Sequence, residues 1–329
     1  MKIGLIDVDN YKKLDKCFPN LPLMKLSAWH KQKGDEVSWY DGSHCDLVYC
    51  SKVFSFTEDF PDEINATEVV KGGSGYFINI QDGFEVFDKE HFNLPDEIEH
   101  TFPDYSLYGI KDTAFGFMSR GCPRGCHFCH VEAKEGLRSH KVADLSEFWN
   151  GQPKIEILDP NTFACPEWKD ILSQLIDSGA WVNFNQGVDL RVLTDEKIEY
   201  LKKVKLKHVH FAWDRYEDKD IIVPRLQKIH DVTGWNRQKV TVYILCNYNT
   251  TMEQNLERIM FVRSLGFNPY VMIYDKQNVK RGSDLNKLAR WVNWKQFLWS
   301  IPTFEDYKRL YAEGKLFGKD QGINAIHRL

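Results

Sequence analysis

The chain is missing several features, and each absence narrows what it can be. No run of 18 uncharged apolar residues occurs, which excludes an ordinary membrane-spanning helix. The start, Met1-Lys2-Ile3-Gly4-Leu5-Ile6-Asp7, places an acid after only a few apolar residues, so no signal-peptide core forms. Net charge is only −4 over 329 residues, and no P-loop or dinucleotide fingerprint is present; Gly72-Gly73-Ser74-Gly75 is too generic to count as a phosphate loop. Core-forming residues are not scarce. With 43% hydrophobic and 14% aromatic residues, disorder is excluded, and the length fits one large domain with a smaller companion, or two domains. The chain reads as soluble and cytoplasmic, with no membrane partner. In that reducing compartment the eight cysteines are core thiols, metal ligands or catalysts.

Charge is unevenly spread: residues 1–110 carry −10, residues 111–279 carry +1 and the last fifty carry +5. The N-terminal third would repel a polyanion, so any nucleic-acid contact is expected late in the chain. The stretch Asn286 to Trp299 mixes Lys and Arg with Trp and Phe, a combination that meets phosphates and stacks bases. It is equally an amphipathic helix: Leu285, Leu288, Trp291 or Val292 and Lys295 recur at helical spacing, which suits a cover over the open side of a barrel.

Lys2 to Val8 reads as a buried strand, Pro22 to Lys33 as a helix stopped by Gly34, and Glu36 to Tyr40, Asp46 to Cys50 and Glu68 to Lys71 as further short strands. These make a small α/β layer, with Asn93 to Tyr105 as connector. A regular beat follows, with strands at Thr113–Met118, Lys154–Leu158, Trp181–Phe184, His208–Phe211, Val240–Leu245 and Tyr270–Ile273 starting 27 to 41 residues apart. Helices at Trp168–Asp177, Asp195–Lys203 and Met252–Ser264 fill gaps between them. This is the rhythm of βα units closing toward a parallel barrel, where chemistry gathers at the carboxyl ends of the strands. The expected architecture is an α/β chain: a small α/β layer at 1–105, a partial (β/α)6 TIM-like barrel at 106–279, and a helical, basic and aromatic extension at 280–329.

The first strand of that series runs into Ser119-Arg120-Gly121-Cys122-Pro123-Arg124-Gly125-Cys126-His127-Phe128-Cys129, three thiols within eight residues in a Gly- and Pro-containing loop. Three thiolates suit a zinc ion completed by His127, His130 or a distant ligand. They equally suit a cubane iron-sulfur cluster with one iron open. The CxxxCxxC spacing, the aromatic before the last cysteine and the position after the first strand resemble the radical S-adenosylmethionine (SAM) superfamily.

That resemblance implies a 4Fe-4S cluster on Cys122, Cys126 and Cys129, SAM chelated at the open iron, and an enzyme that reductively cleaves SAM to a 5′-deoxyadenosyl radical and abstracts hydrogen from a substrate. It implies a one-electron reductant of flavodoxin or ferredoxin type. Phe128 would lie against the adenine. The family's second strand ends in a Gly-Gly-Glu-like segment that grips the SAM amino group; the matching place here reads Leu158-Asp159-Pro160-Asn161-Thr162, a departure in which Asp159 either accepts from the ammonium or caps the following turn. After the third strand, Asn185, Gln186 and Arg191 suit the ribose hydroxyls and carboxylate, with Arg191 paired to Asp189 or Asp195 as the competing reading, and Asp214 after the fourth strand is a further candidate. Cys165, beyond the second strand, is the candidate catalytic thiol, against the reading that it is inert, and Cys246 reads as a buried thiol.

The first hundred residues are similar to the reduced, flavodoxin-like cobalamin-binding layer of one branch of that superfamily, without its Asp-x-His-x-x-Gly segment: His30 and His44 lie in no such frame. Cys17, Cys45 and Cys50 read as ordinary thiols rather than a second cluster. The substrate class expected first is a nucleotide or nucleic-acid base, next a small metabolite or peptide; cobalamin-dependent methyl transfer is an alternative. The competing class is a non-catalytic iron-sulfur or zinc protein that senses redox state or binds nucleic acid.

Overall fold

The computed structural model describes residues 1–81, 84–88 and 93–316; residues 317–329 of the expected C-terminal extension lie outside these. Two compact units are present, one comprising Met1–Gln186 with Thr194–Lys207 and the other Gly187–Leu193 with the chain from His208 onward. Among the described residues no helix is long and apolar enough to cross a membrane.

The first unit begins with a parallel sheet in the order β2-β1-β3-β4, formed by β1 (Lys2–Asp7), β2 (Glu36–Trp39), β3 (Cys45–Ser51) and β4 (Ala66–Gly72). The helix Leu21–Gln32 starts where the sequence places it because Asn20 accepts from the Leu23 N–H at 3.2 Å, and it stops at Lys33 ahead of Gly34, whose φ of 84° a side chain resists. Ile3, Leu5, Leu23, Leu26, Leu47 and Ile98 close a core between helix and sheet, each worth about 1.5–3 kcal/mol of burial. Cys45 and Cys50 belong to a second apolar cluster with Ile6, Val8 and Val48, as ordinary buried thiols do. A short antiparallel hairpin follows, of β5 (Ile78–Gln81) and β6 (Phe84–Phe87).

The same unit then carries β7 (Thr113–Gly116), β10 (Lys154–Ile157) and the start of β11 (Trp181–Val188), paired parallel with Ala114, Ile155 and Val182 in register. The two-residue strands β8 (Ser119–Arg120) and β9 (His140–Lys141) pair antiparallel between β7 and β10. Ile155, Ile157, Val182 and Phe184 are buried and alternate with Glu156 and Asn183, so one face is apolar and the other polar. Helices Trp168–Ser178 and Asp195–Lys203 complete the βα alternation.

The second unit holds β12 (from His208 to Trp213 of Leu206–Trp213), β13 (Val240–Cys246) and β14 (Asn268–Ile273), again parallel, with helices Lys219–Thr233 and Met252–Ser264 between them. The βα rhythm read from the sequence is present in each unit. The tail folds as helices Asp284–Asn293, Lys295–Ser300 and Phe304–Ala312. Its aromatic residues are spent inward: Trp291 and Tyr307 are wholly buried, Phe297 and Phe304 nearly so, and the Trp299 indole N–H donates to Asn268 Oδ1 at 2.9 Å. The helix packs along β14, where the Asn293 side chain acts as an extra strand, accepting from Val271 N–H at 2.8 Å and donating to Val271 C=O at 3.0 Å. That satisfies polar backbone a sheet edge would leave unpaired. Lys295 donates to the Pro269 carbonyl at 2.8 Å, and burial pulls its pKa down to about 8.

Candidate functional site

The cysteine loop is an excursion closed at its neck. Strands β8 and β9 bring Arg120 opposite His140, and Gly121 turns the chain with φ 80°; a Cβ there would stand 2.2 Å from the Arg138 carbonyl oxygen, so only glycine fits. Glu135, ending the short helix Val131–Glu135, accepts from Gly121 N–H and from Arg120 Nη1, both at 2.9 Å, while Cys122 N–H donates to the Gly136 carbonyl. Inside the neck, Cys129 N–H bonds the Cys126 carbonyl at 2.8 Å, which puts two of the three thiols on one turn. Cys122 and Cys126 are half-buried and Cys129 is exposed.

The end of β10 is built onto this loop. Asp159 is 4% exposed, and its carboxylate accepts from Met118 N–H (2.7 Å), Ser119 N–H (2.9 Å), Ser119 Oγ (2.6 Å) and Thr162 Oγ1 (3.1 Å). Burial pushes its pKa up to about 6 in spite of those four donors. Both oxygens are thus committed to the chain itself. Those bonds tie the exit of β7 to the exit of β10, and the turn that follows contributes only the Thr162 hydroxyl. Two residues on, Asn161 donates from Nδ2 to Cys122 Sγ at 3.4 Å, and its Oδ1 is buried with no partner.

Among the described residues no three His, Cys, Asp or Glu side chains converge into a ready-made cage. The donor chemistry nevertheless fits a thiolate-bound centre. Three thiols share one loop with left-handed glycines at 121 and 125, and the Asn161 amide donates to Cys122 Sγ, a contact that orients the sulfur of a ligand.

The other expected ligand groups are placed differently from one another. Phe128 is half-buried on the cysteine loop. Asn185 and Gln186 are successive residues of a strand and so face opposite ways; Gln186 is exposed, while Asn185 accepts at Oδ1 from Asn183 Nδ2 at 2.6 Å. In the second unit, Arg191 is held locally, as its competing reading has it, by Asp189 at 2.7 Å on Nε and, unforeseen, by Asp218 at 2.8 Å on Nη1. Burial works against its charge, but those two carboxylates keep it firmly protonated. Asp214 lies beside this group, and burial raises its pKa to about 6 against the pull of Arg191 and Arg258. Cys165 is 1% exposed and donates to Glu167 at 3.1 Å; burial and then that carboxylate push its pKa up to about 12. It is a buried, protonated thiol. Cys246, wholly buried and pushed up to about 11, is likewise a core thiol.

Three functional groups escaped the sequence. Glu135 sits in an ordinary charged stretch. Arg258, on helix Met252–Ser264, is wholly buried, donating to the carbonyls of Trp213, Asp214 and Leu245 at the ends of β12 and β13. Glu156 had a signal: a carboxylate between Ile155 and Ile157 in β10 demands a partner. It finds Asn183 Nδ2 at 2.6 Å and Lys207 Nζ at 3.3 Å.

No family model matches the chain. No curated protein matches it either. Among solved structures, it is similar to the crystal structure of Streptococcus suis SuiB, at 13% identity and a TM-score of 0.33, covering 50% of this chain and 37% of that one. It is also similar to Streptococcus suis SuiB bound to S-adenosylmethionine, at 13% identity and a TM-score of 0.38, covering 63% of this chain and 49% of that one. The chain therefore matches less than half the length of either.

Proposed function

We propose that this chain is a radical SAM enzyme whose Cys122, Cys126 and Cys129 hold a 4Fe-4S cluster. The observation that carries the reading is the CxxxCxxC loop itself, set directly after the first of a series of parallel βα strands and clamped there by Asp159 and Asn161 from the next strand in the sheet. When bound, such a cluster supplies one electron at low potential to the sulfonium of SAM, giving methionine and a 5′-deoxyadenosyl radical.

The chain's own residues provide position and protonation state. Glu135 and Asp159 take the N–H groups of Met118, Ser119 and Gly121, which fixes both ends of the loop neck. Asn161 donates from Nδ2 to Cys122 Sγ at 3.4 Å and so orients that sulfur as a ligand. The substrate in this reading is a small organic molecule that gives up a hydrogen atom, and the reductant is a flavodoxin or ferredoxin.

Anaerobic reconstitution with iron and sulfide, followed by dithionite and SAM, is the test. The expected products are methionine and 5′-deoxyadenosine, both lost in Cys126→Ala. Colourless protein that takes up zinc, binds no iron-sulfur cluster and leaves SAM intact would overturn the reading in favour of a non-catalytic metal protein.

A further inference from the structure

The polar face of β10 and β11 carries a chain of hydrogen bonds that stops short. Lys207 Nζ lies 3.3 Å from Glu156 Oε1, Asn183 Nδ2 donates to Glu156 Oε2 at 2.6 Å, and the same nitrogen donates to Asn185 Oδ1 at 2.6 Å. A carboxylate only accepts, so the Asn183 amide must present its nitrogen to Glu156, and with both protons used it must present Asn185 with a donor. The orientation of both amides follows. Two atoms are left over, Asn183 Oδ1, an acceptor, and Asn185 Nδ2, a donor, each buried and each without a hydrogen-bond partner. Glu156 and Asn183 are both 8% exposed. The Glu156 charge is met by Lys207, so what remains is neutral: one donor and one acceptor, on two amides joined by their own hydrogen bond. Phe115, opposite Glu156 in the register, supplies an apolar neighbour on the same face.

We infer that Glu156, Asn183 and Asn185 form a binding subsite for a neutral amide edge that offers an N–H and a C=O on the same side. A lactam, as in a pyrimidinone base, has that edge, and so has a primary carboxamide. A peptide bond does not, because the trans amide points the two groups in opposite directions. Asn183 Oδ1 accepts the ligand's N–H, and Asn185 Nδ2 donates to its carbonyl. That this ligand is the substrate rests on the reading of the chain as a radical SAM enzyme; that the subsite binds an amide edge does not.

Ligand-observed NMR on the purified, reconstituted protein reads even weak binding. The probes are uracil, propionamide and 1,3-dimethyluracil, which lacks the N–H. Uracil is expected to bind and dimethyluracil to bind at least about tenfold more weakly, since a site built to pair a polar group rejects the analogue that lacks it. Asn185→Asp, which turns the donor into an acceptor, is expected to weaken uracil by a similar factor. Propionamide binding in place of uracil would support the same subsite with a carboxamide ligand. Equal binding of uracil and dimethyluracil, or no binding of uracil or propionamide, would overturn the inference and leave the two amides to water. The probe comparison needs no variant, so a misfolded Asn185→Asp leaves it intact. 5′-Deoxyadenosine formation by the same preparation separates the two claims: SAM cleavage without amide binding removes the subsite alone, and amide binding without SAM cleavage removes the enzyme reading alone.

Discussion

Replacing Asp159 by Asn should change how stability depends on pH, in a direction the structure fixes. The carboxyl is fully buried, and desolvation raises its pKa from 3.8 to about 6. A group whose pKa rises on folding stabilises fully while it is protonated in both states, below about pH 4, and that contribution is lost as pH climbs through the folded value. A shift of about two units corresponds to about 3 kcal/mol, lost by the native protein between about pH 4 and pH 7. Asparagine cannot ionise and loses nothing over that range. It does set an NH2 against the N–H groups of Met118 or Ser119, a pH-independent cost of about 1–3 kcal/mol. The measurable quantity is therefore the difference in unfolding free energy between the two proteins, from urea titrations followed by tryptophan fluorescence at pH 4 to 8. It should move by about 3 kcal/mol in favour of the variant as pH rises. A flat difference, or one that moves toward the wild type, refutes the assignment of desolvation as the dominant effect on this carboxyl.

Other consequences can be checked in the same protein. Gly121→Ala drives a Cβ to within 2.2 Å of the Arg138 carbonyl at a positive φ, so iron uptake after reconstitution should drop sharply while far-ultraviolet circular dichroism stays unchanged; full uptake would mean the neck is not needed. Asn293→Ala strips Val271 of both edge hydrogen bonds and should cost about 1–3 kcal/mol in urea unfolding, with no effect on iron content. Cys165→Ser should leave SAM cleavage intact, and in the native protein iodoacetamide at pH 8 should modify exposed Cys17 long before Cys165, whose thiol stays protonated; loss of activity in the variant would favour the catalytic reading of Cys165.

The sequence made the repeating elements legible because each obeys a local rule. Helix Met252–Ser264 begins at a capping box in which Thr251 and Gln254 satisfy each other's backbone, and the six strands are short apolar runs between helical periods. It did not reveal β8 and β9, since two-residue strands about twenty residues apart leave no periodic signal. Nor did it settle the tail. Trp291, Trp294 and Phe297 serve base stacking or core packing equally well in one dimension, and burial of Trp291 and Phe297 beside Phe304 and Tyr307 decides for the core. Arg258 escaped for a related reason: periodicity says which face a residue lies on, but it does not say that three strand-end carbonyls wait there for a guanidinium.

The cysteine motif shows most clearly where local reading stops. Spacing alone nominates Cys122, Cys126 and Cys129 as ligands, but the groups that hold the loop come from elsewhere: Asp159 and Asn161 from the end of β10, and Glu135 from beyond the last cysteine. Two carboxylates collect three backbone N–H groups at the neck, an arrangement that would be costly to bury unpaired. Glu135 is also paired with Arg120 at 2.9 Å, so the neck is tied by an ion pair as well as by backbone hydrogen bonds, and Asn161 reaches in to Cys122 Sγ. Held at both ends, the loop keeps Cys122, Cys126 and Cys129 on one short stretch, the arrangement that a shared metal centre requires of its ligands.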